Sequence, residues 1–130
     1  MTWWELVLDK LNVGDKLFTP GRGPRGLQRK PFTIDLLDPL KIVLASGKSK
    51  IPLEKKCFDT IEKAFSQNPF LWVRVASLHD SEPFENSLDK LIRDETGSQL
   101  ARGNYMCSIL EHCGIVRYAM RGNKKVIESV

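Results

Sequence analysis

Residues 102–130 read RGNYMCSILEHCGIVRYAMRGNKKVIESV, and this stretch decides the fold. Tyr105, Met106, Ile109, Leu110 and Cys113 recur at helical spacing. Gly114 stops the pattern, as a glycine does where a helix ends in a left-handed residue. Two short alternating runs follow, Ile115 to Met120 and Lys125 to Val130. Arg121-Gly122-Asn123 lies between them and suits the tight turn of a hairpin. The stretch therefore predicts a helix, a glycine stop and a basic hairpin.

Upstream, Asn86 or Ser87 caps a helix through Leu88, Leu91 and Ile92, closed by Gly97. His79 to Phe84 is an acidic loop, and Phe70 to Ala76 alternates as a strand. Before it, Leu53, Cys57, Phe58, Ile61, Ala64 and Phe65 form the apolar face of a helix. Pro52 is placed near the first turn of that helix, and Asn68-Pro69 ends it.

The first fifty residues have another character. Thr2-Trp3-Trp4-Glu5 is a capping box for a short amphipathic helix reaching about Asn12. Asp15 to Thr19, Phe32 to Leu37, Lys41 to Ala45 and Lys50 to Leu53 read as strands, with turns at Asp38-Pro39 and Gly47-Lys48-Ser49. Pro20 to Gly26 is punctuated too densely by proline and glycine for regular structure, so a long loop runs to about Lys30. The expected class is α+β. Residues 1–50 form a small antiparallel sheet with an N-terminal helix. Residues 51–130 form a second module packed with it in one compact unit.

From residue 53 the order is helix, strand, helix, helix, strand, strand. With the run NYMCSILEHCGIVRY and the basic turn RGNKK, that order resembles the winged-helix superfamily of DNA-binding domains. The resemblance covers about three-fifths of the chain, and Gly103 at the front of the presumed recognition helix departs from the pattern. It implies a helix around Arg102 to His112 lying on the surface and entering a major groove. It also implies a hairpin that grips the backbone.

Composition sets the outer bounds. Of the 130 residues 42% are hydrophobic, which supports a core and excludes a wholly disordered chain. No apolar run approaches the roughly 18 residues of a membrane span, so no membrane is expected as a partner. MTWWELVLDK is not a basic leader, and Cys57, Cys107 and Cys113 sit among apolar residues. Reduced thiols in a cytoplasmic protein are the expectation.

The net charge of +4 is polarised. Residues 1–66 hold twelve Lys and Arg against eight Asp and Glu, whereas residues 67–130 hold eight of each. Arg117, Arg121, Lys124 and Lys125 stand without an acid between 117 and 125, and Arg22, Arg25, Arg29 and Lys30 without one in the 20–30 loop. Such clusters suit phosphate contacts, and a basic arm suits a backbone or a minor groove.

The leading expectation is a non-catalytic protein binding duplex DNA. Arg102, Asn104 and Ser108 would meet base edges, and the two basic clusters would meet phosphates. The alternative is a protein-interaction module or accessory subunit, paired with a partner or a second copy through Trp3 and Trp4. The weakest reading is a small metal-dependent nuclease on Asp80 and Glu82. No cofactor or metal is expected. GRGPRG lacks the Gly-Lys-Ser/Thr ending of a phosphate-binding loop, and the cysteines with His112 lack the paired spacing of a zinc site. His79-Asp80-Ser81 are adjacent in sequence and do not make a triad.

Overall fold

The computed structural model describes residues 1–20, 30–72, 87–121 and 124–130. The fold is α+β, with four helices and two antiparallel sheets among the described residues. Helix α1 (Trp3–Lys10) starts at the expected capping box. Thr2 Oγ1 accepts from Glu5 N at 3.1 Å, and Glu5 Oε1 accepts from Thr2 N at 3.2 Å. Strands β1 (Lys16–Phe18), β2 (Pro31–Leu37), β3 (Lys41–Ser46) and β4 (Ser49–Glu54) form the first sheet in that order. Ser46 pairs with Ser49, so Gly47-Lys48 is a two-residue turn, and Gly47 takes φ +60°.

One boundary differs from the sequence expectation. Pro52 belongs to β4, and α2 (Lys55–Gln67) begins only after Glu54. The reason lies in the ladder. β4 is an edge strand, and the Pro52 carbonyl faces away from β3 to accept from Arg102. The Pro52 nitrogen faces the same way, so its missing N–H removes no ladder bond.

Helix α2 buries Cys57, Phe58, Ile61 and Phe65, the face read from the sequence. Strand β5 (Phe70–Trp72) follows; the remainder of the run expected to Ala76 lies outside the described residues. Helix α3 (Leu88–Thr96) is capped by Ser87, whose Oγ accepts from Lys90 N at 3.0 Å, and stops at Gly97 with φ +72°. Helix α4 (Gly103–His112) leads into β6 (Arg117–Arg121) and β7 (Lys124–Glu128). The second sheet has the order β5-β7-β6, with the last strand in the middle.

The buried apolar side chains form one cluster that takes in α1, both sheets and α2 to α4. Trp4 is 3% exposed, packs on the Phe58 ring at 5.1 Å and donates Nε1–H to the Pro39 carbonyl. Trp3 packs on Phe65 at 5.2 Å. The expected exposed anchor at Trp3 and Trp4 is thus corrected: both rings are spent on joining α1 to α2. Among the described residues no helix is long and apolar enough to cross a membrane.

Trp4→Ala removes a buried aromatic ring and a satisfied N–H, and it is expected to cost about 3–5 kcal/mol of unfolding free energy. Urea unfolding checks this. A variant as stable as the parent would contradict the core placement.

Candidate nucleic-acid interface

The site is built around α4. Arg102 offers no side-chain cap to that helix, so the cap comes from α3. Asp89 Oδ1 accepts from Arg102 N at 3.1 Å and Gly103 N at 2.6 Å. A carboxylate at a helix N-terminus satisfies orphan donors and favours the helix dipole. This offsets the weakness that Gly103 brings to the first turn.

The Arg102 guanidinium is consumed in the interior. Nη1 donates to the Pro52 carbonyl at 2.7 Å and to Glu54 Oε1 at 3.3 Å, and Nη2 donates to Thr96 Oγ1 at 2.8 Å. The side chain is 2% exposed. The expectation that Arg102 reads a base edge is corrected on this ground: its donors tie β4, α3 and α4 together.

Asn104 and Ser108, four residues apart, share a face of α4. That face meets the protein's own chain. Ser108 is 8% exposed and donates Oγ–H to the Phe18 carbonyl at 2.7 Å. Half-buried Asn104 accepts from Lys125 Nζ at 3.5 Å. Tyr105 also turns to the first sheet, edge-on to Phe32 at 5.2 Å and bonded to Ser46. A helix expected on the surface is covered by β1, and only Glu111 and His112 at its end are exposed. Of the residues that would enter a groove, Ser108 meets Phe18, Asn104 meets Lys125, and Arg102 meets β4 and α3.

The same region brings Lys125 and Lys30 to the two ends of the 20–30 segment. Lys125 Nζ donates to the Pro20 carbonyl at 2.9 Å. Thr19 N donates to the Lys30 carbonyl at 2.9 Å, and Lys30 N donates to Thr19 Oγ1 at 3.1 Å. Pro20 and Lys30 bracket Arg22, Arg25 and Arg29 in sequence, and those three arginines lie outside the described residues. On the hairpin, Arg117 and Arg121 are 64% and 59% exposed, and both bond Glu128, at 2.6 and 3.4 Å. The Arg117 hydrogen bond, ahead of its charge and the Arg121 contact, holds the Glu128 carboxyl below its usual range. Lys124 pairs through its backbone with Arg121. A further acid, Glu111, accepts from Tyr118 N at 2.9 Å at the edge of β6.

Sequence reading missed four participants. In the sequence nothing sets Asp89 apart within its helical pattern, or Glu128 within its alternating run. Lys16 and Phe18 carried a signal: in the run KLF alternation sends Leu17 inward and both neighbours outward. Asp80 and Glu82 lie outside the described residues. Among the described residues no group of three or more His, Cys, Asp and Glu is placed to hold a metal ion. The three cysteines are free and buried. Burial, with the Glu54 charge beside it, pushes the Cys57 thiol up to about 12, and burial pushes Cys113 up to about 11. Burial also raises Cys107. No protein-family model, curated protein or solved structure matches this chain.

Two outcomes are expected. Arg102→Ala takes the guanidinium from Glu54, the Pro52 carbonyl and the Thr96 hydroxyl, and it is expected to cost roughly 3 kcal/mol, the low end for a broken buried pair because Glu54 is 27% exposed. Denaturant unfolding measures it, and loss of ligand binding at undiminished stability would contradict the structural role. The thiols act at alkaline pH. The folded state keeps their protons above the ordinary value of 9.0, up to about 11 at Cys113 and about 12 at Cys57, so the unfolded chain releases them first. Their contribution is therefore full below pH 9.0 and lost as the pH rises through the folded values. Replacing the three cysteines by alanine should flatten that alkaline fall; an unchanged pH profile would contradict it.

Proposed function

We propose that this protein binds nucleic acid without catalysis, through phosphate contacts on a basic rim. The rim joins the root of the 20–30 segment to the β6–β7 hairpin. In this reading residues 53–130 are a winged-helix variant whose recognition helix has been taken into the core, leaving the wing to act with a basic arm. The observation that carries it is the hydrogen bond from Lys125 Nζ to the Pro20 carbonyl, at 2.9 Å across 105 residues of sequence. It sets one lysine of the hairpin at the root of the segment that carries the other basic cluster in sequence.

The local balance favours an anion. Lys125 and Lys30 stand at the two ends of the 20–30 segment with Lys16 on β1, while Arg117 and Arg121 lie with Glu128 on the other face of the hairpin. Glu128 holds two arginines side by side, which fixes their forks for a phosphate. With the face of α4 covered, base readout through Arg102 and Ser108 falls away, and affinity comes from the backbone of the nucleic acid.

Counterion release tests it. Binding of the parent to nucleic acid should weaken steeply with salt, and Lys30→Gln combined with Arg121→Gln should flatten the log–log slope by about 1.4–1.8, two contacts' worth. Both side chains are exposed, so folding should be unaffected. Salt-insensitive binding, or a slope the double variant leaves unchanged, would sink the proposal.

A further inference from the structure

Among the residues whose side chains are described, Phe18 is the one aromatic ring left largely exposed, at 47%. It ends β1 on the solvent face of the first sheet, where Leu17 has taken the core position. Its backbone is held firmly. The Phe18 carbonyl accepts from buried Ser108, its strand partner is Pro31, and the next residue, Thr19, is tied to Lys30 in both directions. The ring is thus presented on a fixed backbone at the mouth of the 20–30 segment.

A cation already lies on it: Lys16 Nζ sits over the ring at 5.6 Å from its centroid. Lys125 Nζ reaches the carbonyl two residues on, and Lys30 is tied through its backbone to Thr19. An exposed aromatic face within a track of lysines is what a single strand needs: the ring stacks a base, and the ammonium groups meet the phosphates on either side. A duplex keeps its base faces inside the stack and offers none to Phe18. The face of α4 expected to read a major groove is covered.

We infer that Phe18 is a base-stacking platform and that the rim's ligand is single-stranded nucleic acid. This rests on the rim being a nucleic-acid-binding surface. A base takes the ring, and Lys16 and Lys30 turn to the flanking phosphates.

Fluorescence anisotropy with a labelled oligothymidine, and with a blunt duplex of equal length, tests this. The parent is expected to bind the oligothymidine more tightly than the duplex. Phe18→Leu keeps an apolar side chain but loses the π-face; it should weaken oligothymidine binding by about 5- to 100-fold and leave duplex binding unchanged. Phe18→Trp should retain the affinity. Thermal unfolding confirms that both variants fold. If Phe18→Leu binds the oligothymidine as the parent does, or the parent prefers the duplex, the stacking inference is overturned. If Lys30→Gln with Arg121→Gln still weakens binding in that case, the basic rim stands without it. If the parent binds neither probe, the rim and the platform fall together.

Discussion

The junction of Asp89 with the backbone of Arg102 and Gly103 is the constraint on which the rest depends. One carboxylate oxygen holds the first two N–H groups of α4, and the arginine that follows α3 sends its guanidinium across to β4. Three elements from both halves of the chain meet there, with Asp89 1% and Arg102 2% exposed. Burying these charges is costly, and Asp89 Oδ2, Arg93 Nε and Arg102 Nε are buried without a hydrogen-bond partner among the described residues. An apolar plug of similar volume would pack there at lower desolvation cost. What the charged junction provides is orientation: it sets the axial position of α4 against the first sheet. With that position set, Ser108 reaches Phe18, Asn104 reaches Lys125, and Lys125 reaches Pro20.

Much of the fold was legible because its signals are local. The Thr2–Glu5 box, the Gly47 turn, the Ser87 cap and the Gly97 stop each depend on residues within a few positions of one another. The buried face of α2 follows from periodicity alone. The burial of α4 was not legible in the same way. Tyr105, Met106, Ile109, Leu110 and Cys113 mark one apolar stripe, and Ser108 reads as its polar opposite. The second covering layer comes from Phe18, ninety positions away, and no single-element pattern reports it. A polar residue that bonds a buried carbonyl looks identical, in sequence, to one facing water. Pro52 misled for a related reason: only the pairing of β3 with β4 shows that its nitrogen lies on the open edge.

The candidate site was legible in pieces. Arg117, Arg121, Lys124 and Lys125 stood out as a run without acids, as did the basic residues of 22 to 30. The contact of Lys125 with the root of the 20–30 segment was not legible, because a lysine bonding a main-chain carbonyl leaves no mark in composition. Glu128, outside the acid-free run, turned out to organise Arg117 and Arg121. Arg102 shows the opposite error. A basic residue at the start of a presumed recognition helix suggested a base contact, whereas its three acceptors lie on β4 and α3.

The central claim is that α4 belongs to the interior and that any nucleic acid meets the rim. Hydrogen–deuterium exchange, followed residue by residue with and without an oligothymidine, tests it most directly. The account predicts that the amides of Met106 to Leu110 exchange only by global unfolding in both states, while new protection appears at Lys16 to Thr19, Lys30 and the β6–β7 hairpin. Rapid exchange along α4 in the free protein, with protection gained there on binding, would contradict it.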